Sequence, residues 1–186
     1  PYQPGDRTEG HAPVSKPMDP REWTSVHPFQ VTFDGLTLRG WRRPGRGPRC
    51  LAVHGWLDNA NTFAPLSRHL VDWDLLSVDL PGHGRSDHLP HPGWYHFIDT
   101  VHWVVRLIQH WEPGWLLGHS LGGGLISMAA AVQPVRGAIL LDALGPLTSP
   151  AAEAPQLFRR SLEAQVKPFR RRYYRTYEEA LARLNH

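Results

Sequence analysis

The chain predicts an α/β protein, with a mostly parallel sheet covered by helices on both faces. Three observations carry that reading. Four short, continuous apolar runs, CLAVHG, LLSVDL, WLLGHS and GAILLDAL, have the composition of strands buried on both faces. Helical periodicity fills the segments between them, and such alternation implies parallel crossovers. A hairpin signal precedes them all.

That hairpin is FQVTFDGLTLRGWR, two β-rich runs joined at Asp34-Gly35, a pair suited to a tight turn between antiparallel strands. After CLAVHG, a short helix is expected from about Asn61 to Leu70, using Phe63, Leu66 and Leu70, with Pro65 tolerated near its first turn. The clearest helix is HFIDTVHWVVRLIQHW, where Phe97, Val101, Val104, Val105 and Ile108 form one stripe at helical spacing. Pro113-Gly114 ends it. LISMAAAVQ predicts a third helix of small residues after Ser120, and QLFRRSLEAQVKPF and TYEEALARLN read as amphipathic helices near the end. The organisation that results is a flexible proline-rich extension over 1–27, a core over 28–144, and a helical segment over 145–186.

Composition narrows the functional class. With 186 residues, 41% of them hydrophobic and 20% charged, the chain can bury one sizeable core. It has no apolar run long enough for a membrane span and no signal-peptide pattern at its start, so a soluble, cytoplasmic protein is expected. The single cysteine, Cys50, sits in an apolar run and reads as a buried, inert thiol in a reducing compartment. Net charge is +3, and the basic residues concentrate in RRSLEAQVKPFRRRYYR, residues 159–175. A solvated helical face explains that run without nucleic acid. Four nearby histidines, His83, His88, His91 and His96, lie in a glycine- and proline-rich loop instead of on rigid elements, so no metal site is expected.

The chemistry concentrates at GHSLG, residues 118–122. G-x-S-x-G is a weak signal alone, but here it directly follows an apolar strand and directly precedes a helix. A serine in so sharp a turn has a strained backbone, and Gly118 and Gly122 leave room where side chains would collide. Ser120 at a helix N-terminus also faces free N–H groups. The loop VHGWLDNANTF, residues 53–63, follows the strand CLAV, and a tight turn at His54-Gly55 would expose the amide of Trp56. With the amide of Leu121 it would form a two-donor oxyanion hole.

HGWLDNANTF, VDLPGHGRSDHLP and GHSLGGG, in that order, resemble the α/β-hydrolase superfamily, and HGWLDNA is most similar to its serine hydrolase-like proteins. The resemblance implies a cofactor-independent serine hydrolase, acting on a small ester or related acyl substrate through an acyl-enzyme on Ser120. Serine at the nucleophile position separates this chain from the superfamily's dehalogenases and epoxide hydrolases, which carry aspartate there. The resemblance also treats Asp79 as structural. It makes Asp142, at the end of GAILLDAL, a candidate triad acid, although most members place that acid one strand later; a strand-end aspartate bonding local backbone is the other reading.

The resemblance sets the chain order serine, acid, histidine, with the histidine after the last strand. Here only His186 follows Ser120, and it comes after a helix. His119 should project away from the serine, and His54 reads as a structural ring bonding local backbone. The superfamily's sheet has eight strands, whereas about six are legible here, which would leave GAILLDAL as a bare edge. Pairing with a second copy would cover it, but an N-terminal portion ending inside a lid is the simpler expectation. Such a portion would be nearly inactive, lacking the base. The rival expectation is a non-catalytic binding protein of the same fold.

Overall fold

A computed structural model describes residues 26–90, 94–166 and 174–184. Most of the extension read over 1–27, His91, His186 and residues 167–173 of the basic run lie outside them. The chain divides into two compact units, 1–147 and 148–186.

In the first unit, β1 (His27–Phe33), β2 (Leu36–Arg43), β3 (Arg49–Val53), β4 (Asp74–Asp79), β5 (Trp115–His119) and β6 (Gly137–Leu141) form one sheet in the order β1-β2-β4-β3-β5-β6. β1 and β2 make the expected hairpin, with positive φ at Asp34 (50°) and Gly35 (81°), as a tight two-residue turn demands. β2 pairs with β4 antiparallel, and β4, β3, β5 and β6 are mutually parallel. Each of the four apolar runs became one of these parallel strands.

Side-chain alternation divides the core between the two faces of the sheet. Leu51, Val53, Leu76, Val78 and Leu116 face one cluster, which also takes Val104, Leu107 and Ile108 from α2 (Phe97–Trp111) and Leu125 and Ile126 from α3 (Leu121–Ala130). Cys50, Ala52, Leu75 and Leu117 face the other, with Trp41, Ala60 and Phe63. Trp103 and Trp111 of α2 are partly buried and pack against the first cluster. Cys50 is wholly buried, and that burial pushes its thiol pKa up to about 12.

Two helix boundaries differ from expectation. The helix expected over 61–70 is a single 3-10 turn, Ala60–Phe63, followed by a one-turn α1, Ala64–Ser67. Beyond Ser67 the amides of His69 and Leu70 donate three residues back, to Leu66 and Ser67, so the chain tightens to reach Asp74 and enter β4. α3 includes the glycines, beginning at Leu121 directly after Ser120, and ends at Ala130.

β6 lies at the sheet edge, with Ile139 and Leu141 partly exposed. In the interior of the sheet, Asp74 opens β4 between two arginines. Arg42 reaches its Oδ1 at 2.6 Å and Arg49 its Oδ2 at 2.7 Å, tying β2 and β3 to β4. The second unit holds α4 (Ala154–Val166) and α5 (Tyr177–Leu184). Thr176 caps α5 by accepting the Glu179 amide, while the Glu179 carboxylate accepts the Arg175 amide. No helix among the described residues is long and apolar enough to cross a membrane.

Candidate active site

Ser120 stands between the end of β5 and the first residue of α3, with φ 50° and ψ −115°. Its amide donates to the Leu141 carbonyl at 2.9 Å, and its carbonyl accepts the amides of Gly123 and Gly124. The turn is therefore tied both to β6 and to the helix it starts. Glycine is required on both sides of it. A Cβ at Gly118 would lie 2.5 Å from the Gly122 carbonyl oxygen, and one at Gly122 only 2.0 Å from that of Val53. No side chain fits where the strand, the turn and the neighbouring strand cross so closely.

The loop after β3 lies alongside this turn. A Cβ at Gly55 would sit 3.5 Å from the Cβ of Ser120 and 3.2 Å from His119 Nδ1. Leu57, at φ 57°, turns the loop and donates its amide to His83 Nε2 at 3.3 Å. Among the described residues, neither the Trp56 amide nor that of Leu121 donates to a protein acceptor. For Leu121 the cause is plain: the first amide of a helix has no preceding carbonyl to meet.

Trp56, Ser120, Leu121 and Asp142 come together on the wall of one pocket of about 700 Å³, with Phe97 and Leu144. Ser120 itself is exposed. Asp142 is exposed too and has φ 52°, and no hydrogen bond or ion pair among the described residues engages its side chain. Among the described residues it is the one charged residue lining that pocket, whose other walls are mainly apolar.

No described histidine lines the pocket with Ser120. His54, wholly buried, accepts the Leu80 amide at Nε2 (3.1 Å), and its Nδ1 donates to the Gly55 carbonyl (2.7 Å). Burial lowers its pKa, keeping the ring neutral. His54 is a structural ring, as expected. His119 turns its Nδ1 into a buried position beside Gly55, where no partner among the described residues meets it. His83 is held by Pro81 and Leu57, and His88 by Tyr95. Among the described residues, no group of three or more His, Cys, Asp or Glu side chains could hold a metal ion. Asp79 is also structural, its two oxygens accepting the amides of Ala60 and Arg85.

Besides residues 143–147 after β6, two contributors on helices escaped the sequence reading. Phe97 was assigned only to the buried stripe of α2, yet it also walls the pocket. Gly124 lines the pocket as well, facing that ring. Neither carries a sequence signal, because their juxtaposition depends on how α2 packs on α3.

A family model described as the alpha/beta hydrolase fold matches residues 49–184. The chain belongs to the α/β-hydrolase fold family. Within it, this α/β-hydrolase-fold chain is 34% identical over 170 residues to a serine hydrolase-like protein of Danio rerio, covering 84% of this chain and 51% of that protein. It is 42% identical over 123 residues to a probable serine hydrolase of Drosophila melanogaster, with 62% and 37% covered. Among solved structures, a hypothetical protein of Pseudomonas aeruginosa PAO1 superimposes with a TM-score of 0.76 at 31% identity, covering 85% of this chain and 59% of that one. The chain thus spans about half the length, or less, of these curated relatives.

Proposed function

We propose that this α/β-hydrolase-fold protein is a serine hydrolase that cleaves esters or related acyl compounds through an acyl-enzyme on Ser120. The observation that carries the reading is Ser120 itself, held at φ 50° on the wall of a pocket it shares with Trp56 and Leu121, whose amides have no protein acceptor among the described residues. In this reading Ser120 Oγ attacks the acyl carbon and its proton passes to a histidine. The Trp56 and Leu121 amides hold the oxyanion as the tetrahedral intermediate forms. The intermediate collapses, releasing the alcohol with that proton, and water then frees the acid. The histidine is not among the described residues that line the pocket, and we assign it to a part of the protein outside them. Asp142, without a side-chain partner among the described residues and on the same pocket wall, is the candidate to orient it.

The names of the relatives support this reading. Besides the serine hydrolase-like proteins, the chain is 40% identical over 101 residues to a pimeloyl-[acyl-carrier protein] methyl ester esterase of Xylella fastidiosa, with 53% of this chain and 38% of that enzyme covered. The partly exposed β6 edge supports a further proposal, that additional strands of the full-length protein cover it. A buried, unpaired Cys50 supports a cytoplasmic location.

The test uses the full-length natural protein with p-nitrophenyl esters and a fluorophosphonate probe. Turnover and covalent labelling are expected in the wild type, and Ser120→Ala should abolish both. Equal turnover without Ser120 would remove the nucleophile assignment. If the wild type neither turns over nor labels, the protein is a non-catalytic binding member of the fold that keeps the pocket.

A further inference from the structure

The three glycines after Ser120-Leu121 do not serve the same purpose. A Cβ at Gly122 would strike the Val53 carbonyl oxygen at 2.0 Å, and one at Gly123 the Cβ of Ala143 at 2.5 Å. Both are excluded by the packing of α3 on the sheet. At Gly124 the added atom would lie 3.3 Å from the Gly145 oxygen and 3.4 Å from the Phe97 ring. That is tighter than ordinary contact without being an overlap, so a methyl fits there only if the Phe97 ring or the Gly145 carbonyl gives by a few tenths of an ångström. Within a helix, alanine is the better residue by about 1 kcal/mol. The tight fit already disfavours a methyl there, and a second reason lies outside the helix.

The pocket supplies it. Gly124, Phe97 and Gly145 all line the cavity that holds Ser120, so a side chain at Gly124 would project into the cavity between Phe97 and Gly145. Along the helix, Gly124 lies four residues, or about 6 Å, beyond Ser120. An acetyl group on Ser120 stops short of it, whereas a medium-length chain reaches it. Among the described residues lining the cavity, the Phe97 ring is the apolar side chain that faces Gly124, while Leu144 and Leu147 line it with fully exposed side chains. Apolar walls of this kind accept alkyl chains and offer no partner to a charged one.

Resting on the serine hydrolase reading, we infer that Gly124 is a specificity-determining residue, keeping open against Phe97 the part of the pocket that takes a medium-length apolar acyl chain. One methyl added at Gly124 closes that space. A hydrophobic pocket discriminates by about tenfold or more per methylene misfit, so selection between long and short acyl groups is the quantity that moves.

The experiment measures kcat/KM of the full-length protein for p-nitrophenyl octanoate and p-nitrophenyl acetate, with octyl acetate as a third substrate. In Gly124→Ala the octanoate-to-acetate ratio should fall by about tenfold, and Phe97→Ala added to it should recover part of that loss. An unchanged ratio, with both esters falling together, would make Gly124 a part of the turn's support and overturn the inference. Loss confined to octyl acetate would place the alcohol at Gly124 and overturn the acyl assignment. Should Gly124→Ala not fold, Phe97→Ala alone carries the test: the ratio rises if the ring bounds the chain and stays fixed if it does not. Failure of the parent reading looks different, since Ser120 would then escape the fluorophosphonate probe in the wild type.

Discussion

The ring of His54 accepts the Leu80 amide at 3.1 Å, so the residue leaving β3 is fastened to the residue leaving β4. The other ring nitrogen holds the Gly55 carbonyl, and both bonds are buried. His54 therefore shapes the loop that brings Trp56 beside Ser120 and has no free nitrogen for proton transfer.

From this follows a pH dependence of stability. Burial depresses the folded-state pKa of His54 below its ordinary value, so between that depressed pKa and about 6.5 the unfolded chain binds a proton that the folded chain refuses. Stability from this group is complete above about pH 6.5 and is lost as pH falls toward the folded pKa. Thermal unfolding should show Tm dropping on that side, with a shallower slope in His54→Asn. Removing the ring with His54→Ala should cost about 2 to 4 kcal/mol, for the cavity and the stranded Leu80 amide. An equal slope in both proteins would assign the titration elsewhere.

Ser120 sits at φ 50° and ψ −115°, a conformation costing a non-glycine residue about 1 to 3 kcal/mol. Glycine relieves that strain and gives back about 0.5 to 1 kcal/mol in unfolded-state freedom. Ser120→Gly should accordingly be more stable than the wild type by about 1 kcal/mol in urea unfolding. A less stable variant would mean that the hydroxyl contributes more than the turn costs.

Gly122→Ala is expected to behave in the opposite way. Its Cβ would meet a backbone oxygen of β3, which cannot swing aside as a side chain can. A loss of about 3 kcal/mol or more is expected, read as a lowered urea midpoint or as failure to accumulate soluble protein. A midpoint within error of the wild type would show that α3 can lift from the sheet at that point.

Asp74 tests the interior of the sheet. Burial raises its pKa, but hydrogen bonds and charge from Arg42 and Arg49 outweigh burial and hold the carboxyl below the usual range. A depressed carboxylate pKa stabilises the fold above about pH 3.9, and the contribution disappears as pH falls through the folded value. Asp74→Asn should lower stability at pH 7 by about 1 to 2 kcal/mol, discounted because both arginines are partly exposed. The gap to the wild type should close as pH falls through that depressed value. A gap that persists in acid would assign the loss to packing.

Much of the molecule was legible before any coordinates. Asp34-Gly35 announced its hairpin because only a few residues tolerate positive φ at both turn positions. The four apolar runs announced parallel strands, three of them largely buried in the sheet and the fourth, β6, left partly exposed at its edge, and GHSLG announced its turn because Gly118 and Gly122 stand where no Cβ fits. The stretch from Asn61 to Leu70 was harder: its apolar spacing suits a helix, but the need to enter β4 at Asp74 tightened its second half. Leu107 is as buried as Val104 and joins the same core cluster, though it fell outside the stripe read from spacing.

What the sequence determined by itself is the kind of each element and the chemistry of its turns, since these depend on contiguous residues and on repeats of two or 3.6 along the chain. Tertiary structure decided what meets what. Strand order placed β3 between β4 and β5, and so set His54 against Leu80 and Gly55 against Ser120. The packing of α2 on α3 faced Phe97 to Gly124, and the pairing of β4 with both β2 and β3 put one carboxylate between two arginines. These contacts join residues distant in the chain, and their distances follow from crossover connections and layer packing, which no local pattern encodes.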